Sequence, residues 1–179
     1  MPSEYYKDKV KSIKDFDYSI DYRDKDLRKH PELYKVGRWE QGVLMVEPYK
    51  SEILPSWRFK TPDIAQKSAE IIYDMFLTYL TKEDFVWADM ARKYLQMWYT
   101  RSRRYANHTS GKKYASNPQD ATDIIQEKQL RKNIIKQEPD ALANEKAQSA
   151  KIFYKYYEKA KENKKYKEIK KEFIKKYNH

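Results

Sequence analysis

The stretch Asp15-Phe16-Asp17-Tyr18-Ser19-Ile20-Asp21-Tyr22-Arg23 decides how this chain is read. Phe16, Tyr18, Ile20 and Tyr22 alternate with Asp15, Asp17, Ser19, Asp21 and Arg23, a period of two that predicts a strand with one buried and one acidic face. Downstream, Gly37 and Gly42 bracket a turn ahead of Val43-Leu44-Met45-Val46, an apolar run of strand length. Trp57-Arg58-Phe59 reads as a brief further strand. His30-Pro31-Glu32-Leu33-Tyr34 reads as one helical turn, with Pro31 at its first position. For residues 15–60 the expectation is a small antiparallel sheet of roughly two to four strands.

The sequence changes character at Thr61. Thr61 can cap a helix, Pro62 suits its first position, and Asp63 complements the dipole. Ile64, Ile71, Ile72, Met75, Phe76, Tyr79 and Leu80 give a helical stripe to about residue 80. Thr81 and Asp84 have capping-box spacing, and a second helix is predicted from there to about Asn107, with Gly111 as a stop. So tight a junction predicts an antiparallel hairpin. Ile124, Ile125, Leu130, Ile134 and Ile135 mark a shorter helix ended by Pro139. A helix opening at Pro139-Asp140 should bury Leu142, Ile152, Phe153, Tyr156 and Tyr157. Tyr166, Ile169, Phe173 and Tyr177 give a last amphipathic stripe. The predicted class is thus α+β and helix-dominated: an N-terminal antiparallel sheet packed on a long helical hairpin, with additional C-terminal helices. The predicted layout is a flexible arm over 1–14 and a single domain over 15–179. Within that domain fall the sheet (15–60), the hairpin (61–110), a connection with a short helix (111–147) and basic helices (148–179).

Composition supports a folded chain. Of 179 residues, 36% are charged, which suggests disorder, but 15% are aromatic, and disordered chains are poor in aromatics. No apolar run approaches the ~20 residues that span a bilayer, and the polar start MPSEYYKDKV is not a signal peptide. Cysteine is absent, which excludes disulfides, a thiol nucleophile and Cys-ligated zinc. A cytoplasmic protein without a membrane partner is the expectation. The net charge of +11 is unevenly placed. Residues 1–100 carry 17 basic and 17 acidic side chains; residues 101–179 carry 21 and 10. Such asymmetry points to an anionic partner, or to a lysine-rich helix that only confers solubility.

The densest polar cluster is Arg101-Ser102-Arg103-Arg104-Tyr105-Ala106-Asn107-His108, followed by Lys112 and Lys113. At about 100° per residue, Trp87, Ala91, Tyr94, Leu95, Trp98 and Tyr105 form the apolar arc, while Arg92, Gln96 and Arg103 fall on the solvated side. Arg101 lies at the edge of the buried arc, with Arg104 and His108 close to its line. An arginine there needs a partner. That partner is either an Asp of the strand, such as Asp17 or Asp21, or a phosphate or carboxylate ligand held by the guanidinium fork. His108 reads as a structural histidine at a helix end, or as a phosphate contact or acid/base. Aromatics beside cations, Trp57-Arg58, Arg104-Tyr105 and Lys113-Tyr114, are ingredients of single-strand recognition. Asp15, Asp17, Asp21, Asp24 and Asp26 lack metal-ligand spacing and read as a solvated face. No phosphate loop, GxSxG, GxGxxG, HExxH or EF-hand pattern occurs, so no cofactor, metal or catalytic residue is assigned.

Longer stretches carry a resemblance. They include Phe16-Asp17-Tyr18 with Asp21-Tyr22-Arg23, Leu27 to Arg38, Glu40 to Leu44, Val46 to Pro55, Trp57 to Pro62 and Asp89 to Met97. Thr100-Arg101, Arg103 to His108, Gly111 and Ser149 to Phe153 complete them. Over about residues 15–175 the chain resembles an uncharacterised family catalogued as domain of unknown function 4385, with bacterial, fungal and phage members. It departs from that pattern at Trp39 and Trp98, where the family has glycine, and in a longer segment over 115–147. The resemblance implies no activity.

Three functions stay open. The first is a nucleic-acid or other polyanion binder using Arg58, Arg101, Arg104, Tyr105, His108, Lys112, Lys113 and the C-terminal lysines. The second is a small enzyme on a phosphorylated or carboxylated molecule, with an Arg101/Arg104/His108 site and a pocket including Trp57 and Glu47. The third is an interaction module docking through the Tyr166–Tyr177 stripe. Oligomeric state is not legible.

Overall fold

The computed structural model describes residues 1–11, 17–37 and 42–177. Asp15, Phe16, Arg38, Trp39, Glu40 and Gln41, each named above, lie outside them, as do residues 12–14 of the arm. The helices are α1 (Glu4–Lys11), α2 (Tyr49–Ile53), α3 (Pro62–Thr81), α4 (Phe85–Asn107), α5 (Ile124–Lys132), α6 (Glu145–Glu162) and α7 (Lys164–Tyr177). Among the described residues there is no strand, and β pairing is limited to one isolated bridge between Tyr114 and Ile134. The expected α+β class is corrected: the described residues form an all-α fold.

The physical reason lies in the aspartates. Asp17 accepts hydrogen bonds from the Ser19 N–H and hydroxyl (2.9 and 2.6 Å). Asp21 accepts from the Arg23 N–H and guanidinium, and Asp26 from the Arg28 N–H. Each carboxylate folds back on the backbone two residues on, which closes a turn and competes with ladder pairing. The alternation is real, but it counts turns. The Val43–Val46 run is likewise a turn, opened by Gly42 at φ +82 and closed by Met45 and Val46 N–H groups on the Gly42 carbonyl. Val43 and Val46 are buried while Leu44 and Met45 are exposed, a spacing of three rather than two. The 57–59 segment is extended but unpaired, with the Arg58 N–H donating to the Ser68 hydroxyl of α3.

Thr61 accepts from the Ile64 N–H at the start of α3. Asp84 itself caps α4, accepting from the Trp87 N–H at 3.1 Å, and Thr81 belongs to the last turn of α3, so the capping-box assignment is corrected. α3 and α4 pack on each other and both pack on α6, so α4 runs through the middle of the molecule. Every residue from Phe85 to Trp98 is buried. The expected arm carries α1, which is fixed to α5 and the segment before it: Tyr5 and Lys9 reach Glu127 of α5 at 2.9 and 2.6 Å, and the Ser3 hydroxyl donates to the Ala121 carbonyl. α7 buries Tyr166, Ile169 and Phe173 against Phe76, Phe85 and Tyr34, so its stripe is consumed inside the chain.

Candidate functional site

Two polar constellations stand on α4, one buried in its first half and one open at its last two turns. The buried one centres on Asp89, which is fully enclosed. Its Oδ1 accepts from Arg92 Nε at 2.7 Å and from the Tyr166 hydroxyl at 2.6 Å, and its Oδ2 accepts from the Tyr34 hydroxyl. Lys93 Nζ stands 3.9 Å from Oδ2, and Arg92 also donates to Gln96 Oε1 at 3.1 Å. Burial pushes the Asp89 carboxyl up, but the Arg92 and Lys93 charges and the hydrogen bonds outweigh it and hold the group below the usual carboxylate range. Burial and then the Asp89 charge push both tyrosine hydroxyls well up, so they stay protonated donors. The carboxylate's acceptor positions are filled from three elements. This cluster ties the segment around Tyr34, α4 and α7 together and leaves Asp89 no room for chemistry.

Arg92 and Gln96 were expected on a solvated side; they are 4% and 7% exposed. A single-helix wheel allows one covered face, whereas α4 is covered from several directions, and its polar residues are buried as a set. The neighbourhood Asp89-Arg92-Lys93-Gln96 carried the signal, since carboxylate and cations at spacings of three and four form intrahelical pairs.

The open constellation holds the residues singled out by charge. Of the nine arginines in the sequence, eight lie among the described residues. Arg23, Arg28, Arg92 and Arg131 pair with Asp21, Glu52, Asp89 and Glu127. Arg103 donates to Asn107 Oδ1 and the Ala141 carbonyl, and Arg58 to the Trp57 carbonyl. Among the described residues, the Arg101 and Arg104 side chains have neither ion pair nor hydrogen bond. Neither Asp17 nor Asp21 is the partner of Arg101. Its guanidinium instead lies 5.6 Å from the Trp98 ring and 6.0 Å from Trp57, two rings stacked at 4.0 Å. Phe59 continues the aromatic row, 5.9 Å from Trp57 and 5.8 Å from Tyr105. Tyr105 is 40% exposed, and Gly111, at φ +69, lies so close to its ring that a Cβ would sit 2.7 Å from Cζ. Lys146 crosses this row, donating to the Phe59 and Lys60 carbonyls.

On the neighbouring side of the same turns, a concavity of about 330 Å³ is lined by Thr100, Arg103, Arg104, Asn107, His108 and Lys113, among others. It brings Arg104, His108 and Lys113 together, but not Arg101, Arg58 or Lys112. His108 is 4% exposed, and its Nδ1 is sealed from solvent without a hydrogen-bond partner. Glu47, named for this pocket, is instead engaged at α2, accepting from the Ser51 N–H and hydroxyl and pairing with Lys50. The lysines of α7 are also elsewhere. α7 meets α4 at Phe85 and Asp89, and at 1.5 Å per residue Asp89 lies ~22 Å along the helix from Arg104. Among the described residues no cluster of three or more His, Asp or Glu could hold a metal, and no helix is long and apolar enough to cross a membrane.

Residues 17–176 match the model of the family described as Domain of unknown function (DUF4385), and the chain belongs to it. No curated protein and no solved structure matches it.

Proposed function

We propose that this protein binds a nucleic-acid strand along the last two turns of α4 and the 57–60 segment. The observation that carries the reading is that the Arg101 and Arg104 side chains have no carboxylate or hydrogen-bond partner, in a structure that gives every other described arginine one. An arginine left without a carboxylate beside partly exposed rings is suited to phosphate oxygens, with bases stacking on the aromatics. Trp57, Phe59 and Tyr105 offer such a row, flanked by Arg58, Lys60 and Arg101. Arg104, His108, Lys112 and Lys113 extend the positive surface.

The competing reading, a small enzyme using His108, has less support. For Nε2 to accept a proton as a base, the ring must carry its hydrogen on Nδ1, which has no acceptor. Nδ1 is unsatisfied in either tautomer, at about 1–3 kcal/mol, but an orphaned buried N–H is the rarer arrangement. That favours His108 as an Nε2–H donor toward an anion.

Fluorescence anisotropy with labelled single-stranded DNA and RNA tests the proposal. If Arg58, Arg101, Arg104 and Lys113 each meet a phosphate, log affinity should fall with log salt at a slope of about −2.8, roughly fifty-fold between ~50 and ~200 mM. Arg101→Gln with Arg104→Gln should flatten the slope by about 1.4. Binding no tighter than to a neutral polymer would sink the reading, and an equal preference for heparin would reduce it to general polyanion binding.

A further inference from the structure

We infer that the concavity at the end of α4 takes a terminal phosphomonoester of the bound strand, an inference that rests on the nucleic-acid reading above. Three cations line it, and no carboxylate does. Arg104 is unpartnered, Arg103 is held only by the neutral oxygens of Asn107 and Ala141, and Lys113 has no carboxylate, its Nζ 5.3 Å from the Tyr114 ring. An acid adjoining these turns is Glu138, whose backbone N–H donates to the Asn107 carbonyl at 2.9 Å. Its Oε1 is occupied by the Thr109 N–H and hydroxyl at 3.1 and 2.7 Å. The concavity therefore carries a positive charge that nothing in its own wall compensates.

His108 supplies the second observation. It is more than nine-tenths buried in the wall, with Nδ1 sealed and unpartnered, while Nε2 is not so sealed. A ring fixed that way presents one N–H donor beside Arg104, four residues before it on the same helix face. An internal phosphodiester brings one charge and two free oxygens. A terminal phosphomonoester brings about −1.5 to −2 and three acceptor oxygens, which matches a guanidinium fork, an ammonium and an imidazole N–H. At about 330 Å³ the space equals roughly ten water volumes, enough for a phosphoryl group with its sugar. The aromatic row at Trp57, Phe59 and Tyr105 lies on the adjoining side of the same turns, so a strand stacked there can place its end in the concavity.

One internally labelled single-stranded oligonucleotide, prepared with a 5′-phosphate, a 3′-phosphate or hydroxyls at both ends, provides the test. Wild type should bind one phosphorylated form about tenfold more tightly than the hydroxyl form, since charge-assisted hydrogen bonds to the dianion are the strong kind. In Arg104→Gln and in Lys113→Gln that ratio should fall close to one. The ratio is the readout, because both residues also belong to the strand surface; circular dichroism confirms that each variant is folded. Equal affinity for all three forms would overturn the strand-end inference while leaving the strand reading intact. Failure of all three to bind would overturn the strand reading, and this inference with it. Equal affinities together with competition by adenosine 5′-monophosphate would assign the concavity to a free small molecule, and so also overturn it.

Discussion

Replacing Asp89 by asparagine keeps the shape of the side chain and removes one charge from the centre of the molecule. In the wild type, Arg92 and Asp89 side chains are 5% and 0% exposed and 2.7 Å apart. Removing one partner of a buried pair leaves the other charge in a poor medium, at about 3–5 kcal/mol. The asparagine amide also points a donor at a site supplied only with donors, from Tyr34, Tyr166 and Arg92. For a domain of this size each kcal/mol moves Tm by about 2–4 °C, so a fall of about 6–20 °C is expected. Urea unfolding followed by circular dichroism should place the loss in the midpoint rather than the slope. A companion variant, Arg92→Met combined with Asp89→Asn, should lose less than the sum of the single changes, because the second substitution removes one of the two stranded cations. The acid limb provides the sign. The folded Asp89 carboxyl is held below its ordinary 3.8, so its contribution is full above that value and is lost as pH falls toward the folded one. The stability gap between wild type and Asp89→Asn should therefore narrow below about pH 4. A loss under about 1 kcal/mol at neutral pH, or a gap constant with pH, would refute the assignment of this cluster as the ionised core of the fold.

Two further outcomes test other parts of the structure. Glu127, held down to about 2 by hydrogen bonds from Lys9, Arg131 and Tyr5, ties α1 to α5. Glu127→Gln should speed amide exchange across residues 4–11 by at least several-fold. In the wild type the same release should appear as pH falls from about 4.5 toward 2, since a depressed carboxyl stabilises above its unfolded value; unchanged exchange would refute the tie. Gly111→Ala should cost about 1–2 kcal/mol from the left-handed backbone. It should also push the Tyr105 ring off Phe59. Chemical denaturation reads the first, tyrosine side-chain shifts the second, and a neutral variant with an unmoved ring would count against the close approach.

The parts legible in the sequence were those governed by neighbours in the chain. The start of α3 at Thr61-Pro62 and the end of α4 near Asn107 follow from caps and proline, which act within one turn. The cationic cluster at Arg101–His108 was visible because charge is counted without knowing the fold. The misreading at Asp17 and Asp21 has a local cause too: alternation of polar and apolar residues is shared by strands and by successive Asx turns. What distinguishes them is whether a partner strand exists, and no residue of the stretch reports that.

Arg92, Lys93 and Gln96 show the other limit. A helix wheel assigns one side to water, yet α4 is covered from several directions, and its polar side chains became the interior network around Asp89. The sequence by itself determined the start of α3, the end of α4, the neutral first hundred residues and the positive remainder, because capping and charge are properties of short stretches. Tertiary structure alone decided which charges are spent. Burial is set by what packs on a face, so Arg92 is locked to a carboxylate while Arg101 and Arg104, on the same helix, have none.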